Sequence, residues 1–479
     1  MEDFNMKIKK TFAVVMVLAV VATSFVGCGA KRVNHTLPAF DDEATIIRSA
    51  WWCPEPTAEN YDVYKECGLN TLLLVNHNFR TGDFATSDHQ LQLTKEYGYY
   101  IGTPEDFDGE TMTDQSLALA KEKGLDVILA EGEAYFAWIG EPVNVYEDFT
   151  IDYSEYEDII VGVFSGDEPS APEMKEQAKN IKNVEKVFPN VPYFANLFPC
   201  YADLDSALKA NSYNQYLDEY GKVFLSKTSK PRMISVDFYP FIGTNNDKMF
   251  YNYELFTDKA MEYDADMHMF IQSCVSADGS HRMLNEQEIM VQVSTALAYG
   301  ARAYSYFLYA PAGTGYPEGL VDGEGKPAAM YYHAQKANAL VTSMEKAYMH
   351  YDYVNTIAVT DDERDYAEGA FGFLPIMKNV GTCEESEILE NVSATNRALV
   401  SIMRDKDGNE AFYIMNYFDN GDSEMEEDCT VTLNLKNMKK VALYGTTECL
   451  EGEVQDVKKN EFTYTLTPGE GMLVIPYRK

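Results

Sequence analysis

"GVFSGDEPS", residues 162–170, is apolar through Phe164 and then ends on Asp167, Glu168 and Pro169. Two adjacent carboxylates followed by proline are an unusual end to a buried strand. They could be a solvated turn, the first turn of the next helix, or the working end of a site. The surrounding pattern decides the fold. Strand-like runs recur at 45–52 (TIIRSAWW), 70–78 (NTLLLVNHN), 126–133 (DVILAEGE) and 159–168 (IIVGVFSGDE). They continue at 191–198 (VPYFANLF), 232–241 (RMISVDFYPF), 267–274 (MHMFIQSC) and 301–309 (ARAYSYFLY). Amphipathic segments separate them at 57–67, 113–124, 172–187, 204–227, 248–264 and 285–299. Near-continuous apolar strands separated by helices are what a parallel sheet requires, because helices cover its faces. Eight such units in about 300 residues predict an α/β fold of the (β/α)8 TIM-barrel type. A doubly wound open sheet is the alternative, but no GxGxxG follows the first strand.

Past a closing helix over 327–350 the pattern changes to alternation, with a hairpin signal, "DGN", at 407–409. This predicts a small antiparallel β-sandwich over 351–479, after a barrel over 45–350. Packing against the barrel or weak glycan binding are the jobs that suit it. "DKDGNE" is not a calcium loop, because its glycine is fourth where the EF-hand needs it sixth.

The net charge of −37 repels phosphates, so nucleic acid is excluded as a partner. The 34 tyrosines suit the faces of sugars, each ring having an apolar plate and a polar tip, and they equally suit core and rim. At the N-terminus a basic "KIKK" (7–10) precedes an apolar run over 11–25 and then "VGC" at 26–28. This resembles a bacterial lipoprotein signal. The resemblance implies a signal peptide over 1–27, a lipid on Cys28, and a tether over 28–44 that holds the protein on the outer face of the cell membrane. The other cysteines, at 53, 67, 200, 274, 383, 429 and 449, have no CxxC spacing, so neither a zinc site nor another metal is expected, and no cofactor.

In a barrel the chemistry is done where the strands end. The ends read Trp51 and Trp52, Asn76 and His77, and Glu131 and Glu133. Then come Asp167 and Glu168, Asn196, Asp237 and Tyr239, Gln272, and finally Tyr306 and Tyr309. Carboxylates, amides and aromatic plates are the inventory for cleaving glycosidic bonds: one acid protonates the leaving oxygen, and a second group attends the anomeric carbon.

"VFSGDEP" resembles the acid/base strand of (β/α)8 glycoside hydrolases, in which the proton-donor Glu commonly precedes Pro. "EIMVQVSTALAYGARAYSYFLY" (288–309) is similar to the seventh-helix and eighth-strand region of family 42 β-galactosidase-like enzymes. Carried over by position, Glu168 is the expected general acid. That clan places a nucleophilic Glu at the end of the seventh strand, where this chain has Gln272. Glu286 and Glu288, further on, read as helix N-terminal charges. Three readings follow. Asp237 could be the second catalytic carboxylate. Alternatively, Asp167 and Glu168 resemble the Asp-Glu pair of family 20 and 123 β-N-acetylhexosaminidases, in which Asp orients the substrate's 2-acetamido group. Or the site binds without cleaving, as in a glycan-capturing lipoprotein. The expected function is a cell-surface glycoside hydrolase acting on a β-linked glycan, with Trp51, Trp52, Asn76, His77, Glu131, Asn196, Tyr239, Gln272, Tyr306 and Tyr309 lining the substrate.

Overall fold

The computed structural model describes residues 33–74, 112–130, 153–229, 231–242, 248–311, 315–359, 383–417, 427–445 and 452–479. Eight parallel strands appear where the apolar runs predict them. They are β1 (Ile47–Ala50), β2 (Thr71–Leu73), β3 (Asp126–Ala130), β4 (Ile160–Asp167), β5 (Tyr193–Leu197), β6 (Met233–Asp237), β7 (Asp266–Gln272) and β8 (Ala301–Phe307). From β2 to β8 each strand pairs with the next in sequence, and β8 returns to pair with β1 in parallel. A bond from Asn70 N to Arg48 O (3.0 Å) links β2 to β1 and brings the circle round. The result is a (β/α)8 barrel.

The helices are α1 (Ala58–Glu66), α2 (Met112–Lys123), α3 (Ala171–Gln177), α4 (Ile181–Val187), α5 (Tyr213–Tyr220), α6 (Met249–Tyr263), α7 (Glu286–Ala298) and α8 (Ala329–Tyr348). The segment expected as one helix over 172–187 is two short ones, with Ala178–Asn180 between them. Local chemistry sets several starts. The Thr57 side chain accepts from Asn60 N ahead of α1, and Asn285 with Glu288 forms a reciprocal capping box at α7. Glu288 also pairs with Arg282, and Glu286 pairs with Lys336, which absorbs both acids as helix charges.

Strand alternation separates two cores. Phe164, Phe194, Met233, Phe270 and Ala303 point into the barrel, while Val163, Ile234, Met269 and Tyr304 point out to the helices. The strand-start end is closed by a buried pair between Arg48 of β1 and Glu345 of α8 (2.5 Å).

Beyond α8 come β9 (Asp352–Val359), β10 (Leu389–Ala394), β11 (Ala398–Arg404), β12 (Glu410–Asn416) and β13 (Cys429–Leu435). β14 (Lys440–Tyr444), β15 (Glu453–Asp456), β16 (Glu461–Leu466) and β17 (Gly471–Tyr477) complete an antiparallel sandwich of three and six strands. The alternation expected throughout this region fails in β11, β12 and β17, which are apolar at nearly every position. The reason is that the larger sheet is covered twice. Val400, Ile402, Phe412 and Ile414 face the smaller sheet, while Leu399, Met403, Tyr413 and Leu473 face the barrel's helices. There the hydroxyl of Thr356 donates to Ala298 O at the end of α7 (2.9 Å). Of the segment expected as a tether, residues 33–44 lie against the sandwich. Asn34 is buried, its amide donating to Glu410 O and Pro476 O (2.7 Å each), and Phe40 packs edge-on against Tyr444. Cys28 and the signal segment lie outside the described residues.

Candidate active site

The site is built at the end of β4. A regular strand would point Phe164, Gly166 and Glu168 inward and send Asp167 out to the helices. The pairing with β5 instead slips between Phe164 and Gly166, so that Asp167 stands opposite Asn196, which faces inward. This bulge re-aims the strand end, as bulges beside sites commonly do. At Gly166 an added Cβ would lie 2.2 Å from Gln177 Nε2 of α3, so the bulge presses its backbone against that helix. Glu168 then turns back at φ +45°, left-handed for a residue other than glycine. Two bonds fix the turn: Glu168 N donates to Asn196 O (2.8 Å), and Tyr216 of α5 donates its hydroxyl to Pro169 O (2.8 Å).

These acids are not helix caps. Ser170 takes the cap position of α3, and the Glu173 carboxylate accepts from its N–H (2.7 Å) and hydroxyl (2.5 Å). The adjacent Asp-Glu pair therefore stands clear of the helix.

Asp237, at the end of β6, is 8% exposed and lies below the half-buried Asp167 and Glu168. Its carboxyl is within hydrogen-bonding reach of Glu168. Burial pushes Glu168 up to about 8, the Asp167 charge adds to the rise, and the bond with Asp237 opposes it. Asp167 is pushed up to about 6 by burial, against the opposing bond from Asn196. Asp237 is raised well above the carboxylate range by burial first, and then by the charges of Glu168 and Asp167. Three carboxyls this close and this poorly hydrated cannot all be ionised, so Glu168 and Asp237 hold a proton between them near neutrality. Its half-buried position gives Glu168 the more accessible end of that pair.

Aromatic rings line the approach. Tyr239 lies 5.5 Å from Phe307 and edge-on to His281 (5.6 Å), and Tyr316 meets both Phe307 (5.2 Å) and His281 (5.5 Å). Trp51 plugs the barrel mouth against Phe164 and Phe270 (5.6 Å each), with the half-buried Trp52 edge-on to it. The Tyr201 hydroxyl accepts from Tyr239 N (3.4 Å). Tyr201, His281, Phe307 and Tyr316 escape a reading of strand ends. Three of them lie on loops beyond the strands, and Phe307 is the inward residue beside the tyrosine that the reading selected.

Two expected site residues are placed elsewhere. Tyr306 points outward and, together with Tyr304, donates to Asn338 Oδ1 of α8 (2.9 and 2.8 Å). Tyr309 packs on Tyr64 of α1 (5.0 Å) in the outer core. Neither reaches the site, because β8 alternates regularly from Ala303 to its end and its inward residues there are Ala303, Ser305 and Phe307. Gln272 does point inward but is fully buried: its carbonyl accepts from Phe241 N (3.0 Å), and Gln292 holds its backbone. Asn76, His77, Glu131 and Glu133 lie outside the described residues.

A cleft of about 580 Å³ opens at the opposite, strand-start end between Arg232, Met261, Asp266, Arg302 and Asp352. Arg302 is engaged there by Tyr351 O and Asp352 (2.7 and 2.8 Å), and that end of a barrel serves stability rather than chemistry.

No protein-family model and no curated protein matches the chain. Among solved structures it is similar to a putative α-L-fucosidase from Bacteroides thetaiotaomicron (13% identity, 66% of this chain and 98% of that one, TM-score 0.42). An α-L-arabinofuranosidase from Thermotoga maritima matches at 10% identity over 91% and 92% of the two chains (TM-score 0.43). A β-L-arabinopyranosidase from Geobacillus stearothermophilus matches at 12% over 91% and 97% (TM-score 0.45). At these TM-scores the likeness carries no argument about the reaction.

Proposed function

We propose that the protein is a glycoside hydrolase acting on a β-linked glycan, with Glu168 as the general acid. The observation that carries this is the Glu168–Asp237 proton-sharing pair beside the Asp167 carboxylate, at the strand-end mouth and under an aromatic wall. A carboxylic acid kept protonated near neutrality is what departure of a sugar's oxygen requires.

Whether Asp237 or the substrate supplies the second group turns on spacing. Retaining pairs stand about 5–5.5 Å apart and inverting pairs about 6.5–9.5 Å, because a sugar, or a sugar and water, must fit between them. Glu168 and Asp237 stand within hydrogen-bonding reach of each other, closer than either spacing. This favours substrate assistance. Glu168 gives its proton to the glycosidic oxygen as the C1–O bond breaks, and the substrate's acetamide oxygen bonds to C1. Asp167 accepts the acetamide N–H and steadies the charge that develops there. Water then attacks C1 as the bond from C1 to the acetamide oxygen breaks, and the water's proton passes to Glu168, which restores the acid. Asp237 is the proton-sharing partner of Glu168. A lipid on Cys28 that places the protein on the outer membrane face belongs to the same proposal.

Turnover of aryl N-acetyl-β-hexosaminides, lost in Glu168→Gln and blocked by an N-acetylhexosamine-thiazoline, supports the reading. Turnover unaffected by Glu168→Gln overturns the acid, and an active enzyme indifferent to the thiazoline overturns substrate assistance. Binding without turnover across a broad glycoside panel identifies a glycan-capturing protein instead.

A further inference from the structure

The barrel interior carries a second feature. Barrel cores are ordinarily layers of branched apolar side chains. Here Ser49, Ser235, His268 and Ser305 are fully buried among the inward positions, and Asn196 nearly so. They form one line. Ser49 Oγ meets Ser305 Oγ, Ser305 Oγ is 2.7 Å from His268 Nε2, and His268 Nδ1 is 2.9 Å from Ser235 Oγ. Ser235 Oγ is 2.9 Å from Asn196 Oδ1, and Asn196 Nδ2 is 3.0 Å from Asp167 Oδ1. Four of its links follow the sheet's own register, with Ser49 opposite Ser305, His268 opposite Ser235, Ser235 opposite Asn196, and Asn196 opposite Asp167, while His268 stands opposite Ala303 and reaches diagonally to Ser305. It therefore runs from β1 through β8, β7, β6 and β5 to the bulged end of β4.

Its direction follows from counting hydrogens. An ionised Asp167 only accepts, so Asn196 presents its N–H to it and turns its carbonyl to Ser235. Ser235 has one hydroxyl hydrogen and gives it to that carbonyl. It must then accept from His268 Nδ1–H. A neutral imidazole has one N–H, so Nε2 is bare and accepts from Ser305, which in turn accepts from Ser49. Burial keeps His268 neutral by pushing its proton affinity down to about 3, and the flanking Phe194 and Phe270 rings (5.7 and 5.1 Å) offer it no charge. Every link points the same way, and each donor's polarity strengthens the next.

We propose that Ser49, Ser305, His268, Ser235 and Asn196 form a one-way donor chain that holds Asp167 as a carboxylate aimed into the site. His268 and Ser235 are positioning residues that act through Asn196. The chain opposes what the surroundings do to Asp167, because the titratable groups facing it are Glu168 beside it and Asp237 and Tyr239 at the end of β6. Without a fixed donor, the cheapest response to that crowding would be to protonate Asp167 and turn the Asn196 amide over. The catalytic consequence rests on the proposed role of Asp167, whereas the chain and its direction do not.

Two measurements on the full chain test this separately from any activity. The first is a long-range ¹H–¹⁵N spectrum of histidine-labelled protein near neutral pH, with His268 assigned by its loss in His268→Gln. The expected result is a neutral ring protonated on Nδ1. A ring protonated on Nε2, or on both nitrogens, reverses or breaks the chain and overturns the proposal. The tautomer is read on the native protein, and His268→Gln serves only to assign the signal. The second follows the Asp167 carboxyl by ¹³C chemical shift against pH. Ser235→Ala removes the hydrogen that orients Asn196, and the titration of Asp167 should move up by about one pH unit. Ser235→Thr keeps the hydroxyl and should restore the native midpoint. Equal midpoints in the alanine and threonine variants overturn the proposal. If the Nδ1–H tautomer and the Ser235→Ala shift are found in a protein that cleaves no glycoside, the proposed function fails while the chain stands.

Discussion

The ends of β4 and β8 were expected to do the same thing and do opposite things. Each carries side chains suited to a sugar site, Asp167 and Glu168 on one and Tyr306 and Tyr309 on the other. In β4 a one-residue slip against β5 turns Asp167 inward, and a left-handed turn at Glu168 brings the second acid to Asp237. In β8 the slip, against β7, falls at the strand's start between Ala301 and Ala303, so alternation runs unbroken to the mouth, Tyr306 goes out to Asn338, and Phe307 takes the inward place. Position along a barrel strand thus sets how near a residue is to the mouth, and backbone irregularity sets which face it occupies.

The largest expected effect comes from removing the acid that the bulge delivers. Glu168→Gln should lower kcat for an unactivated glycoside by about 10²–10⁴-fold, the usual span of general acid catalysis. The same variant should be more stable at pH 8. The folded carboxyl titrates near 8, above its ordinary value, so the folded chain keeps a proton that the unfolded chain releases. Stability from this group therefore falls as pH rises from the ordinary carboxylate range to about 8. A neutral amide removes that penalty, and thermal melts of the two proteins at pH 5 and pH 8 would show the gap open with pH.

Gly166→Val puts a side chain where the bulge presses its backbone against Gln177 of α3, which should displace the strand end that carries Asp167 and cost about 10²-fold in kcat/KM, with the barrel's far-ultraviolet dichroism retained. Activity that survives this substitution would remove the bulge from the account of the site. The pH profile is a milder perturbation of the same strand end. Activity should be lost on the acid side as Asp167 takes up a proton near 6, and on the basic side as Glu168 gives one up near 8. The two limbs together make a bell in kcat/KM against pH. The smallest effect on chemistry is expected at β8. Tyr306→Phe deletes a buried hydrogen bond to Asn338 and should cost about 1 kcal/mol of stability while leaving kcat/KM within twofold. A large loss of activity there would restore Tyr306 to the site.

Legibility in the sequence followed the range of the physics involved. The eight strands, their order and the closing helix were readable because apolar continuity and helical period are local properties of a buried parallel sheet. Asp167, Glu168 and Asp237 were readable as mouth residues because each ends such a run. The double burial of β11, β12 and β17 departed from the expected alternation, since it depends on the sandwich being laid against α7 and α8. Ser49, Ser235, His268 and Ser305 stood at inward positions of four separate strands, a visible anomaly in apolar runs, yet the links between them are made between neighbouring strands by residues far apart in the chain.

The sequence by itself therefore determined that this chain forms a (β/α)8 barrel with an antiparallel sandwich, and which carboxylates stand at the strand ends. These follow from side-chain polarity along single strands. Only the tertiary structure decided that Asp167 faces in and Tyr306 out, that Glu168 comes within hydrogen-bonding reach of Asp237, and that Asn196 is held from behind by His268 and Ser235. Each of those outcomes depends on how one strand's register meets its neighbour's, and a register shift of one residue exchanges the faces of a strand without changing a letter of its sequence.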